Sequence, residues 1–336
     1  MPATIYEVAK QAGVGIGTVS RVLNNSPNVR SETRQRVLAA MQELDYQPNP
    51  IARRMGLRKT LTIGVIAPFF TRPSFVERLR GVEAAVAESE YDLIVYNVET
   101  PAKRDAYFRQ VPRSHRVDGL IIISLSPSDA DVERFTRSGT PTVLVDTYHP
   151  ALSRVVVDDV AGGWMATQHL IELGHRKIAY LSDPLINPFN FTPCRDRFQG
   201  YRQALREAGI LFKAEYHQAG EHSRYQAKVL AHQLLDLPDP PTAIFAASDT
   251  QAMGVLEAAR ERGLRVPQDL SVVGFDDIEM AEYLNLTTIR QPLYESGLRG
   301  VEMLLESIST PGTVPTHVEL PLELVVRGTT VSPAAG

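Results

Sequence analysis

The chain of 336 residues contains one cysteine, Cys194. A single thiol excludes an intrachain disulfide and a thiolate zinc cage and fits a reducing compartment, and nothing around Cys194 marks it as an activated nucleophile. No run of about 18 apolar residues is present, which excludes a membrane-spanning helix. Nor does the chain start with a charged-then-apolar segment leading to a small-residue cleavage site, so the expectation is a cytoplasmic protein with no membrane partner. H-E-x-x-H, G-x-S-x-G, a Walker loop and histidines paired at metal-ligand spacing are all missing. The expectation is therefore a protein that is not an enzyme, without metal or cofactor. The scattered His115, His149, His169 and His175 read as loop or surface residues.

The composition is that of a globular chain, with 43% hydrophobic residues and a formal net charge of −4. Length alone points to two or three domains. Charge is distributed unevenly. Residues 1–60 carry nine Lys+Arg against four Asp+Glu, so the remainder, out of 35 and 39 in all, is strongly acidic. A small basic head on a larger acidic body suits a head that meets a polyanion.

The head contains "AGVGIGTVSRVLNN", with glycines at 13, 15 and 17. A phosphate-cradling loop must follow a strand and open a helix. Here "TIYEVAKQA" precedes it, and Ile5, Val8, Ala9 and Ala12 form one apolar helical stripe started by a Thr4/Glu7 capping box. Ser20 also stands where the third glycine should be, so a nucleotide loop is rejected. A second helix over "IGTVSRVLN" buries Val19, Val22 and Leu23 and presents Ile16, Gly17, Ser20, Arg21 and Asn24. A third, "SETRQRVLAAMQELDY", is capped by Ser31 and buries Val37, Leu38, Met41 and Leu44. Helices joined by a tight glycine turn make a helix-turn-helix, whose second helix enters the DNA major groove. In "QPNPIARRMGLRKT", Asn49 caps, Pro50 begins and Gly56 ends a helix too short to stand alone. Its Arg53, Arg54 and Met55 suit a segment that folds on DNA, with arginine at phosphates and methionine between minor-groove bases.

Residues 4–55 resemble the DNA-binding head of the lactose-repressor and purine-repressor family of bacterial transcription factors. The resemblance implies major-groove readout by Ile16, Gly17 and Arg21, with Thr18 and Ser20 near phosphates, Thr4 as a further DNA-binding residue, and insertion of Met55, where the family usually has leucine. Gly15 replaces the usual serine and so removes a cap, and Asp45 replaces a customary glycine, where a left-handed residue is costlier. Ile16 and Gly17 offer bases almost no hydrogen bonding, so readout there leans on thymine methyls and on Arg21.

Beyond Leu61, short apolar runs alternate with amphipathic stretches: "LTIGVIAP", "DLIVYNV", "GLIIIS", "PTVLVD", "KIAYLS", "TAIFAAS" and "LSVVGFDD". Such runs read as parallel strands buried on both faces, with helical crossovers. Two series of them imply two doubly wound lobes, whose ligands sit beyond the carboxyl ends of the strands. Those ends carry Pro68, Phe69, Phe70, Ser124, Asp146, Ser248, Asp249, Asp276 and Asp277, mostly groups that bind hydroxyls. Asp249 and Asp277 have a competing role as helix caps.

The resemblance extends over the body, which is similar to the periplasmic sugar-binding fold. It implies effector contacts at Asp146, Arg197, Asp249 and Asp276, with Ser124, Phe75 and His222 at pocket positions; residue 222 is often a large aromatic in the family. Carboxylates and an arginine suit adjacent hydroxyl pairs, and Phe69, Phe70 or Phe75 suit a sugar face. The expected fold class is α/β, an N-terminal helix-turn-helix head plus two doubly wound parallel-sheet lobes of periplasmic-binding-protein type. The expected domains are the head at 1–48, a hinge helix and linker at 49–60, and a two-lobed body at 61–336. One lobe takes 61–158 plus 291–320, the other 161–288 plus 322–330. The expected function is a homodimeric regulator, a repressor, that binds a pseudo-palindromic double-stranded DNA operator under control of a small molecule, a saccharide. The alternative is a solute-binding protein for a sugar without a role on DNA.

Overall fold

The computed structural model describes residues 3–23, 26–47, 59–114 and 116–333. Asn24, Arg53, Met55, His115 and most of the 49–60 hinge lie outside the described residues. The chain divides into two units, Met1–Leu61 and Thr62–Gly336.

The first unit holds α1 (Ile5–Ala12), α2 (Ile16–Leu23) and α3 (Ser31–Glu43). Thr4 and Glu7 form the capping box that starts α1, and Gly13 ends it at φ +65°, a left-handed conformation that glycine adopts without strain. The core is Val8, Ala9, Ala12, Val19, Val22, Val37 and Ala40, with Leu23, Met41 and Leu44 packed partly against it. Leu38 is a correction: it is 50% exposed, because the inward stripe of α3 runs Val37, Ala40, Met41, Leu44 and leaves Leu38 about 100° away. Ser31 also departs from expectation. It is the first residue of α3, and the cap position belongs to Arg30, which makes no side-chain cap bond. Asp45 takes φ +45°, the left-handed conformation without a glycine.

The second unit contains two six-stranded sheets. The first lobe is built on β1 (Thr62–Pro68), β2 (Asp92–Val98), β3 (Gly119–Ile123), β4 (Thr142–Val145) and β5 (Ser153–Val156), with β11 (His317–Glu319) added late. Their order is β11-β5-β4-β3-β1-β2, with every pairing parallel. Its helices are α4 (Pro73–Ala87), α5 (Pro101–Gln110), α6 (Asp129–Ser138) and α12 (Leu293–Ser309). The second lobe orders β12-β10-β9-β8-β6-β7, namely β6 (Ile178–Ser182), β7 (His217–Ala219), β8 (Ala243–Ala246), β9 (Ser271–Asp276), β10 (Thr287–Arg290) and β12 (Glu323–Val325). Here β12 runs antiparallel to β10. The covering helices are α7 (Asp159–Glu172), α8 (Pro193–Glu207), α9 (Arg224–Leu235), α10 (Asp249–Glu261) and α11 (Glu279–Tyr283). The chain passes between lobes after β5, after β10 and after β11.

β1, β3, β4, β6, β8 and β9 are buried along their length, the pattern of central parallel strands. β2 is not. It lies at the sheet edge, where Ile94 and Val95 are exposed.

In each lobe one helix pair crosses at contacting glycines. A methyl on Gly297 of α12 would overlap the backbone carbonyl of Arg78 on α4, and one on Gly163 of α7 would overlap that of Arg197 on α8. The close approach carries both arginines inward, so each lobe supplies one buried guanidinium to the interlobe cleft.

Candidate functional site

Five residues at the carboxyl ends of strands hold the backbone in positive φ: Asp277 (55°), which turns to Arg290 and Arg327, and four that line the cleft, Phe69 after β1 (45°), Ser124 after β3 (55°), Asp146 after β4 (59°) and Asp276 at the end of β9 (115°). L-residues pay about 1–3 kcal/mol for such conformations, which persist where the surroundings enforce them and concentrate at functional sites. All four turn at the carboxyl ends of parallel strands, where open α/β sheets bind ligands.

A narrow polar floor of about 30 Å³ is lined in part by Arg78, Asp146, Arg197, Ser248, Gln251, Asp276 and Gln291. Arg78 grips Asp146 with both terminal nitrogens, Nη2 to Oδ1 at 3.0 Å and Nη1 to Oδ2 at 3.2 Å. Ser124 Oγ donates to Asp146 Oδ2 at 2.5 Å. Arg78 Nη2 also donates to Gln291 Oε1, and Gln291 Nε2 donates to Asp276 Oδ1. Asp276 faces Arg197 at 3.8 Å, and Arg197 Nε donates to Asp159 at 2.7 Å while lying 3.6 Å over the Phe275 ring. One hydrogen-bonded chain thus joins the two lobes beneath the cleft, and Gln291, at a crossover, is its middle link.

Burial penalises these charges, and the pairings decide which survive. Asp159 is pushed up to about 6 by desolvation, against the pull of Arg197. Desolvation raises Asp276 as well, opposed by Arg197 and by the Gln291 hydrogen bond. For Arg197, burial disfavours the charge, but Asp159 and Asp276 outweigh it and hold the guanidinium charged.

Against this floor lies an apolar chamber of about 300 Å³, walled by Pro68, Phe69, Phe75, Pro188, Phe189 and Phe191. Floor and chamber share Arg72, Phe75, Asp183, Phe191 and His222. At the junction Asp183 accepts from Gln251 Nε2 and sits 2.9 Å from His222 Nδ1, while Arg72 reaches it from the other lobe at 3.9 Å. Burial lowers the pKa of Arg72, which stacks on Phe69 at 4.0 Å.

Phe69, Phe75, Ser124, Asp146, Arg197, His222 and Asp276 thus converge on one cleft. Asp249 does not. It is the first residue of α10, capped by Ser248, and its two oxygens accept from Thr288 Oγ1 at 2.6 Å and the Ile278 amide at 3.0 Å. Burial, reinforced by Asp276, keeps its carboxyl well above the usual range. It knits α10 to the β9 and β10 ends, and Ser248 lines the floor instead. Asp277 caps nothing; it pairs with Arg290 and Arg327, each at 2.7 Å. His149 and His175, read as loop or surface residues, lie in loops but are buried there. His175 sits among Thr242, Ser271 and the Val331 carbonyl, and His149 is against Asp129. Arg72, Arg78, Asp183, Gln251 and Gln291 were not anticipated. Asp183 alone had a signal, as the first acid after "KIAYLS".

On the head, Ile16, Gly17 and Arg21 are exposed and Thr18 and Ser20 half-buried, opposite the buried Val19 and Val22. Thr4 hydrogen-bonds Glu7. Tyr6, 70% exposed, was not singled out.

A helix-turn-helix unit and a two-lobed body with a polar cleft define a DNA-binding transcriptional regulator under small-molecule control. Residues 4–49 match the model of bacterial regulatory proteins of the lacI family, and 167–330 match a periplasmic binding protein-like domain. The transcriptional repressor CytR of Escherichia coli K12 is 35% identical over 98% of this chain and 96% of its own. The lac repressor dimer bound to operator and the anti-inducer ONPF is 30% identical with a TM-score of 0.85, covering 98% of this chain and all of that one. A CelR–cellobiose complex is 32% identical with a TM-score of 0.72, over 97% and 99%. The chain belongs to the LacI family of bacterial regulatory proteins. Among the described residues no helix is long and apolar enough to cross a membrane.

Proposed function

We propose that the chain is a cytoplasmic homodimeric repressor of a pseudo-palindromic operator, controlled by a neutral hydroxylated ligand of the sugar class bound between its lobes, and that it carries out no catalytic step. The observation that carries this reading is the buried chain Asp146–Arg78–Gln291–Asp276–Arg197 beside aromatic walls. Carboxylates accept from ring hydroxyls, guanidinium and amide groups donate to them, and phenyl faces suit the C–H face of a sugar. Each arginine already faces a carboxylate: Arg72–Asp183, Arg78–Asp146 and Arg197–Asp159. Among the described residues of the cleft, no arginine is left without a carboxylate to favour a phosphate.

Ligand contact is assigned to Phe69, Phe75, Ser124, Asp146, Arg197, His222 and Asp276. DNA contact is assigned to Ile16, Gly17, Thr18, Ser20 and Arg21, with Thr4, Asn24, Arg53 and Met55 as further contacts. A ligand that prefers one lobe angle shifts the population toward it and changes operator affinity by the difference, typically 1–3 kcal/mol. That the CelR structure holds cellobiose and the lac repressor structure holds operator supports the pairing of ligand and DNA. Thermal unfolding of the purified chain against a sugar panel, followed by operator mobility shifts with any stabilising sugar, tests it. A sugar shift abolished by Asp276→Ala supports the reading; stabilisation only by ligands without vicinal hydroxyls overturns it.

A further inference from the structure

The two compartments of the cleft differ in size and in chemistry. The polar floor, about 30 Å³, takes the edge of a ring and a water or two. The chamber, about 300 Å³, is walled mainly by phenyl and prolyl carbon; of its polar residues, Ser124 is bonded to Asp146, Arg72 lies on the Phe69 ring and Asn187 bonds its own segment, while Asp183, His222 bonded to it, and the adjacent Glu221 form one polar rim. A bare sugar filling this chamber would press hydroxyls against phenyl and prolyl carbon, leaving them without partners.

The chamber's outer wall is the segment that leaves β6, residues 184–191. It belongs to the second lobe by sequence but is seated on the first. Phe189 packs into the first lobe's apolar cluster with Ile66, Val98, Leu120 and Leu125. Its ring meets Phe69 edge-on at 5.4 Å and 86°. Arg104 donates to the Phe189 carbonyl and Ser126 Oγ to the Asn190 carbonyl, both across the cleft. Asn187 organises the strap: its Oδ1 accepts from the Phe189 and Phe191 amides and its Nδ2 donates to the Phe191 carbonyl. The Asn187 amide is thereby spent within the strap, and its two phenylalanines face the chamber.

From this we propose that the effector is amphiphilic: a neutral hydroxylated ring whose edge lies on the polar floor, bearing a flat apolar or heteroaromatic ring that fills the phenylalanine chamber beneath the 184–191 strap. The proposal rests on the cleft being a site for hydroxylated ligands. Phe189 is its specificity-determining residue, because it supplies an aromatic wall and pins the strap to the opposite lobe. An aryl glycoside and a nucleoside share this chemistry, with the Asp183, Glu221 and His222 rim facing the ring's edge.

Isothermal calorimetry on the full-length chain compares matched probes: glucose and galactose with their phenyl β-glycosides, and ribose with uridine and adenosine. The expected result is that at least one ring-bearing probe binds about tenfold or more tightly than its parent sugar, and which arm responds identifies the ring. Phe189→Ala brings that ratio down to about one. Phe189→Leu, which keeps apolar bulk on the first lobe, is the second variant if the alanine chain does not fold, and lowers the ratio at least threefold. Parent sugars binding as tightly as their derivatives, or a ratio untouched by the variants, overturn the amphiphile while leaving the sugar site standing. Binding of no probe at all, or binding that survives Asp276→Ala, overturns the sugar reading beneath it too.

Discussion

Arg78 and Asp146 meet through two nitrogens and two oxygens, at 3.0 Å and 3.2 Å, with side chains only 4% and 6% exposed. They come from different elements, the middle of α4 and the end of β4, and Arg78 carries the pairing onward to Ser296 and Gln291. Removing one partner of such a pair strands the other as a buried uncompensated charge, which costs about 3–5 kcal/mol. Arg78→Ala should therefore lower the ligand-free melting temperature by roughly four to seven degrees in a chain of this size. Calorimetric unfolding of the variant checks this, and a loss under about 1 kcal/mol would mean that water already reaches the pair.

The helix crossings explain how the arginines are placed, and they predict a linked defect. Gly297 leaves no room for a methyl against the Arg78 carbonyl, so Gly297→Ala must push α12 away from α4. Overpacking of this kind typically costs 1–3 kcal/mol. The shift also moves Arg78 relative to Asp146, so ligand affinity should fall by more than the stability loss alone explains. A Gly297→Ala chain that is destabilised yet binds ligand at wild-type affinity would separate the crossing from the site.

Burial lifts the Asp159 carboxyl to about 6, with Arg197 opposing and Asp146 adding repulsion. An unfolded aspartate titrates near 3.9. Between about pH 4 and 6 the folded chain holds a proton that the unfolded chain has released, so this group makes stability fall as pH rises through that window and adds no further slope above it. Asp249 and Asp276, also raised by burial, act in the same direction. Asp159→Asn removes only the first contribution. Urea unfolding of both proteins from pH 4 to 7.5 should show the variant gaining on the wild type by on the order of 2–3 kcal/mol across the window. Parallel curves would place Asp159 in better-solvated surroundings.

The central strands were legible because each is a nearly continuous apolar run, and reading their ends located Phe69, Ser124, Asp146 and Asp276. β5, β7, β10, β11 and β12 are three or four residues long and mix polar with apolar residues, so no apolar run marks them. Asp249 stands one residue past the cleft-lining Ser248, with its carboxylate bonded to Thr288 and the Ile278 amide. A strand end names a neighbourhood, and which of Ser248 and Asp249 faces the cleft depends on where α10 begins. Arg78 and Gln291 carry no local signal. An arginine in mid-helix reads as solvated until a second helix, 215 residues later in the chain, closes over it at a glycine. Arg197 was reached through family resemblance alone, for the same reason.

Arg21 stands exposed on α2, opposite the buried Val19 and Val22. Ile16 and Gly17 on that face have no side-chain hydrogen-bonding groups, and with Thr18 and Ser20 proposed at phosphates, the proposed directional base readout by residues 16–21 rests on one guanidinium. A guanidinium bridges the O6 and N7 acceptors of guanine, which an ammonium cannot match with equal geometry. Arg21→Ala should cost about 1–3 kcal/mol in specific binding and relax preference at one position per half-site, with a much smaller change on unrelated DNA. Arg21→Lys should restore nonspecific binding without restoring the preference. Selection of operators from a randomised pool, run with all three proteins at one salt concentration, reads both quantities. An unchanged preference in the alanine variant would transfer readout to the apolar contacts of Ile16 with thymine methyl groups.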